Sequence, residues 1–267
     1  MKATFFYLTF LVLILGFTSC DKNDNVSLLF TAEDDLELGA QVAAEIESDS
    51  SYDILSRSQY PAAYAYLDSV VNAILNSGEV AYRQEFVWDV HIIHDDEVLN
   101  AFATPGGYIY VYTGLIKYLN NPDAFAGVMG HEIAHADLRH TSRNLQKVYG
   151  VQVLLSLLLG EDSSQLEQIA AQIAGTAAGL SFSREFENEA DEKSVEYLAK
   201  TGFACDGAKI FFERLEDEGQ TGPPEFLSTH PSPSNRVENI NDKVSEENCN
   251  TQPSGTGYPG FINGLPQ

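Results

Sequence analysis

Apolar positions recur at three- and four-residue intervals over two early stretches. These are Leu36, Ala40, Ala43, Ala44 and Ile46 within residues 33–48, and Tyr64, Leu67, Val71, Ile74 and Leu75 after Pro61. Such spacing lines one face of a helix, and proline suits a first helical turn, so two amphipathic helices are predicted. The period then shortens to two: Phe86, Trp88, Val90 and Ile92 alternate with Asp89 and His91, the pattern of a half-buried strand. Residues 100–103 and 108–112 flank Thr104-Pro105-Gly106-Gly107, a turn-rich break that predicts a hairpin. Helical spacing returns behind Asn121, a good N-cap, and Pro122, with Phe125, Val128, Met129, Ile133 and Ala136 giving one helix from 122 to about 140. Residues 148–159 are strongly apolar but number only a dozen and include Gln152 and Ser156, which predicts a buried core helix rather than a membrane span. Residues 170–180 are Ala/Gly-rich, 183–200 form a charged amphipathic helix, and a last helix carries Val237, Ile240 and Val244.

The two ends differ from this body. Lys2 precedes an apolar run over 3–17, which ends in Phe17-Thr18-Ser19-Cys20 and the polar Asp21-Lys22-Asn23-Asp24-Asn25. This resembles a bacterial lipoprotein signal, cleaved before Cys20 with that cysteine lipidated; the alternative is a plain secretory signal cut near Ser19. Either predicts export, and the first places the chain in the cell envelope as an outer-membrane lipoprotein. The expected organisation is a signal over 1–20, a flexible tether over 21–32, a folded domain over 33–245 and an irregular tail over 246–267, rich in Gly, Pro and Asn. Composition narrows the partners: 39 Asp+Glu against 15 Lys+Arg give a net charge of −24, which repels a phosphate backbone and excludes nucleic-acid binding. The same charge keeps the chain off anionic membrane surfaces, so lipid on Cys20 would be its main anchor. Of three cysteines, Cys20 is assigned to lipid, leaving Cys205 and Cys249 as a pair that an oxidising compartment would bridge or leave free.

His131-Glu132-Ile133-Ala134-His135 carries the chemistry. Residues four apart share one helix face, so the two imidazoles can bind one Zn²⁺ with Glu132 beside them. A catalytic zinc needs a third protein ligand and a position for water. His140, five residues past His135, falls about 140° away around the same helix and off the metal face. A metzincin arrangement would place Gly and His at 138 and 141, where this chain has Leu138 and Thr141. The charged helix after Ser183 offers Glu187 and Asp191 on one face, Glu187 as ligand and Asp191 bonded to a ligand histidine, while Glu185, Glu189 and Glu192 read as solvated. His91 and His94 lack partners at ligand spacing and read as structural.

HEIAHADLRH over 131–140, SREFENEAD over 183–191, NAFATPGGYIYVYTGL over 100–115, and Thr229-His230-Pro231-Ser232 with Arg236 together resemble the HtpX and CAAX-endoprotease family of zinc metallopeptidases. The likeness spans roughly residues 35–245, in the soluble periplasmic BepA- and LoiP-like branch. It implies a predominantly helical α+β, zincin-like domain whose small sheet has an edge strand at the active-site cleft. It also implies one Zn²⁺ held by His131, His135 and Glu187, Glu132 as catalytic base, and Tyr108, Ile109, Tyr110, Val111 and Tyr112 as that edge strand, pairing with peptide substrates. His230 would approach the zinc, blocking the water or stabilising the transition state, and Arg236 would brace its loop. The expected function is metalloendopeptidase action on misfolded or unassembled envelope proteins. The alternative is a zinc-containing envelope chaperone or assembly factor with little proteolysis.

Overall fold

The computed structural model describes residues 30–175, 181–217, 224–231, 235–255 and 257–266. The signal, Cys20 and the tether over 21–29 lie outside the described residues. Helix α1 (Ala32–Ser48) starts at a reciprocal cap: Asp34 N donates to Thr31 Oγ1 at 3.1 Å and Thr31 N donates to the Asp34 carboxylate at 2.6 Å. Phe30 is buried beside it, so the folded body starts inside the segment expected to be tether. Helix α2 (Pro61–Leu75) follows, with Pro61 in its first turn.

Three strands come next, β1 (Asp89–Ile93), β2 (Ala101–Ala103) and β3 (Tyr108–Tyr112), in the spatial order β1-β3-β2. The hairpin prediction holds: β2 pairs antiparallel with β3, Ala101 opposite Val111, across a turn in which Gly106 and Gly107 take positive φ. The position of β3 does not. Because β1 pairs parallel with β3, Asp89 opposite Tyr108, the run Tyr108, Ile109, Tyr110, Val111 and Tyr112 is the central strand and has no free edge for a substrate. The outer flank of β1 is covered as well, Leu55 N donating to Ile92 O at 2.9 Å and His94 N to Asp53 O at 2.8 Å. Among the described residues, the flank of β2 away from β3 has no strand partner.

Helices cover both faces of this sheet. On one side, Val90, Ile92, Ile109 and Val111 pack with Leu67 and Ile74 of α2 and with Val128, Met129 and Ile133. On the other, Phe102, Tyr110 and Tyr112 pack with Leu38 and Val42 of α1 and with Leu154, Leu157, Ile169 and Ile173. After β3 come α3 (Thr113–Leu119), α4 (Pro122–Asp137), α5 (His140–Tyr149), α6 (Val151–Leu158) and α7 (Ser163–Ile173). They are followed by α8 (Arg184–Leu198), α9 (Gly207–Asp217), α10 (Pro224–Thr229), α11 (Arg236–Glu247) and α12 (Tyr258–Asn263).

Asn121 Oδ1 caps α4 by accepting from Asp123 N and Ala124 N, both at 2.9 Å. The helix runs shorter than its pattern suggests, because Arg139 turns left-handed (φ 59°) and α5 restarts at His140. Gly127 and Gly207 let α9 seat on α4: a Cβ at Gly127 would lie 2.0 Å from Ala208 N, and one at Gly207 2.0 Å from Asp123 O.

Two further expectations change. Residues 148–159 are not one buried helix: Gly150 breaks them, only Leu154 and Leu157 of α6 are buried, and Val148, Leu155 and Leu159 are 52%, 42% and 75% exposed. The tail is not irregular throughout. It contains α12, buries Tyr258, Phe261 and Leu265, and is tied to the body by a Cys205–Cys249 disulfide. Among the described residues no helix is long and apolar enough to cross a membrane.

Candidate metal centre

Helix α4 presents His131 and His135 one turn apart, toward α8. Ser183 caps α8, its Oγ accepting from Phe186 N at 3.2 Å, and this registers Glu187 opposite the two imidazoles and Asp191 one turn further on. The helices approach closely at Gly130, where a Cβ would lie 2.6 Å from Ser194 Oγ. His230 follows α10 and enters from a third direction, stacked on Phe226 with ring centroids 4.7 Å apart.

His131, His135, Glu187 and His230 form one buried group whose ligand atoms all lie within 4.8 Å of one another. His131 Nε2 is 3.0 Å from His135 Nε2, and Glu187 oxygens lie 3.4 Å from each. His230 Nδ1 is 3.4 Å from His131 Nε2 and 3.1 Å from Glu187 Oε1. Ligands 2.0–2.2 Å from a tetrahedral zinc stand about 3.3–3.6 Å apart, so these separations approximate the edges of that tetrahedron. His230 Nε2 and both oxygens of Glu132 are buried without hydrogen-bond partners, as suits a site built to take an ion and a reactant. Two imidazoles and a carboxylate, with a third imidazole, fit zinc.

The surroundings set the charges. Burial opposes ionisation of Glu187, but His230 and Arg236 hold its carboxyl well below the usual range. Burial likewise opposes charge on His131, yet its bonds to Asp191 and Glu187 prevail and raise it to about 9. His135 is pushed well below its ordinary value by burial and by neighbouring His131, so its ring is neutral. Burial raises the Glu132 carboxyl above its ordinary value, against the lowering effect of His230 and His131.

Asp191 Oδ1 lies 2.9 Å from His131 Nδ1. Arg236 clamps Asp191 with two bonds of 2.6 Å and reaches Glu187 Oε2 at 3.0 Å, while its guanidinium stacks over Phe212. Its carboxylate partners are thus both on α8, not on the His230 loop that it was expected to brace. His230 Nε2 faces Glu132 Oε1 at 3.6 Å. Tyr108–Tyr112 stays outside this cluster, and β2 approaches it instead: Phe102 and Ala103 line a small cavity with Thr141, Phe182, Thr229 and His230.

The sequence profile of peptidase family M48 matches residues 61–244, which includes every member of the cluster. The chain belongs to peptidase family M48. Among its M48 relatives, the beta-barrel assembly-enhancing protease of Escherichia coli (strain K12) is 33% identical over 166 residues, 58% of this chain and 34% of that protein. The mitochondrial metalloendopeptidase OMA1 of Schizosaccharomyces pombe is 30% identical over 190 residues, covering 70% and 55%. Human metalloendopeptidase OMA1 is 30% identical over 193 residues, covering 66% and 37%. The chain therefore spans between about a third and just over half of the length of these relatives.

Two residues of this M48 centre escaped the spacing argument. His140, restarting the chain in α5, swings back so that its Nδ1 lies 3.0 Å from His135 Nδ1. Glu189, read as solvated, lies 3.0 Å from His140 Nε2 through its Oε2. His91 and His94 stay apart from the site, His91 stacked on Tyr110 and His94 3.1 Å from Asp53.

Proposed function

We propose that this chain is a zinc-dependent metalloendopeptidase that hydrolyses peptide bonds of envelope proteins. The observation that carries this is the four-residue tetrahedron beside Glu132, whose buried carboxylate has no hydrogen-bond partner and so serves no purpose in a purely structural metal site. His131, His135 and Glu187 would hold the zinc, which when bound would supply a Lewis acid for the scissile carbonyl and lower the pKa of a water to about 7. Glu132 takes that water's proton on a carboxylate oxygen and returns it to the leaving amine. Asp191 keeps His131 in the tautomer that presents Nε2, and Arg236 holds Asp191 and Glu187 ionised.

His230 Nδ1 stands where it would be a fourth ligand to the ion, and His131, Glu132, His135, Glu187 and His230 are all at most 1% exposed. This supports a latent enzyme that opens when His230 withdraws. A substrate strand would then add along β2. Asn100 O and Thr104 N bond to β3, and Phe102 stands opposite Tyr110, so Ala101 and Ala103 turn their backbone groups to the flank away from β3, where Ala103 O accepts from Thr141 Oγ1 at 2.9 Å and Ala101 is left for a substrate strand to pair with. Asn100, buried with both amide atoms unpartnered, adds a donor and an acceptor where β2 begins. The Cys205–Cys249 disulfide suits an oxidising compartment, which supports export, with lipid on Cys20 as the membrane anchor. Proteolysis of an unfolded protein by wild type and Glu132→Gln, at equal zinc occupancy, tests the reading. A fall of about 10²–10⁴-fold in the variant is expected, and equal rates would leave only a client-holding role.

A further inference from the structure

The two ligand histidines are supported differently, and the support of His135 is unusual. A neutral imidazole has one N–H donor and one acceptor nitrogen. His135 Nε2 lies 3.0 Å from His131 Nε2 and 3.4 Å from Glu187 Oε1, so it points to the metal position and carries no proton when bound. The ring's hydrogen then sits on Nδ1, whose neighbour is His140 Nδ1 at 3.0 Å. Two donors cannot share that contact, so His140 accepts there and places its own hydrogen on Nε2, which donates to Glu189 Oε2 at 3.0 Å. A single carboxylate thereby sets the tautomer of two rings in series.

The parts of this chain are held by packing. His140 is fully buried and lies parallel to Phe186, 4° between planes and 4.3 Å between centroids. The Arg143 guanidinium stands 4.3 Å from the same Phe186 ring, and its Nη1 is 3.5 Å from Glu189 Oε2. The left-handed turn at Arg139 makes the contact possible, because an unbroken α4 would carry His140 off the metal face. The other end of the relay reaches solvent, the Glu189 side chain being 41% exposed.

Resting on the metal-centre reading above, we infer that His140 and Glu189 are positioning residues for zinc: Glu189, acting through His140, holds His135 with Nδ1 protonated and Nε2 directed at the metal. Hydrogen bonding to a ligand imidazole from behind fixes its orientation and raises its basicity, and loss of such a partner weakens metal binding by about 10–100-fold.

The test measures zinc dissociation constants by chelator competition for wild type, His140→Ala, Glu189→Gln and the double variant, with metal-free melting to confirm folding. Glu189→Gln alters a half-exposed side chain and provides a folded variant if His140→Ala does not fold. The expected result is binding about 10–100-fold weaker in His140→Ala and up to about tenfold weaker in Glu189→Gln. The double variant should be no weaker than His140→Ala, since Glu189 acts only through that ring. Long-range ¹H–¹⁵N correlation on the zinc-loaded wild type should show His140 protonated at Nε2 with Nδ1 as acceptor. Wild-type zinc affinity in the folded variants, an undiminished Glu189→Gln effect in the His140→Ala background, or an Nδ1-protonated His140 would each overturn the relay while leaving the zinc site standing. Failure of wild type to bind zinc would overturn both.

Discussion

The two flanks of the metal centre solve one problem in different ways. Behind His131, a carboxylate touches the ligand ring directly, and Asp191 is itself clamped by Arg236, with every group at most 2% exposed. Behind His135, a second imidazole intervenes, and the terminal carboxylate of Glu189 is open to solvent. The first flank concentrates charge in the interior, where removing one partner leaves an uncompensated ion. The second disperses its charge outward, where water shares the load. The first should therefore govern folding and zinc together, and the second zinc more than folding.

Asp191→Ala should show the largest effect. It leaves the buried Arg236 with Glu187 alone and is expected to cost about 3–5 kcal/mol in chemical denaturation, with loss of zinc. A variant of wild-type stability would break the contrast. Next, His140→Ala should shift zinc affinity more than it lowers metal-free stability, and the reverse order would make His140 a packing residue.

The pH response is the third test. Below about 9, zinc must displace the proton that Asp191 and Glu187 hold on His131. Protonation competes with the metal, so the sign is weaker binding at lower pH, by about tenfold per pH unit from this proton between pH 8 and pH 7. A flat profile in isothermal titration would mean that the interior flank holds no such proton. The smallest effect is expected at the surface: Glu189→Gln should leave metal-free melting within about 0.5 kcal/mol of wild type.

How much of this was legible in the sequence follows the range of the forces involved. Local rules gave the cap at Asn121, the helix face that unites His131 with His135, and the pairing of Glu187 with Asp191 on α8. The stop of α4 at Asp137 was not legible, because Leu138 and Arg139 are ordinary helix residues. What turns the chain is tertiary: the Arg139 guanidinium binds Phe30 O at 2.7 Å and Thr31 O at 2.6 Å, and pairs with Asp35, all more than 100 residues away. That turn is also why His140 reaches His135. The strand order was missed for the same reason, since the parallel partner of β3 lies across β2 and the hairpin turn. A signal was nevertheless present: Tyr108-Ile109-Tyr110-Val111-Tyr112 contains no charged alternation, which marks a strand buried on both faces rather than an edge. The exposed side chains of α5 and α6 mislead in the opposite sense, because apolar composition without a covering element is not burial.

The function proposed for this cluster depends on one ion in one place. Anomalous scattering from crystals of the zinc-loaded protein measures it directly. The expected result is a single zinc bonded to His131 Nε2, His135 Nε2 and a Glu187 oxygen at about 2.0–2.2 Å, with His230 Nδ1 completing the tetrahedron in the closed state. A zinc bound by other residues, or none at this cluster in protein that retains its fold, would contradict it.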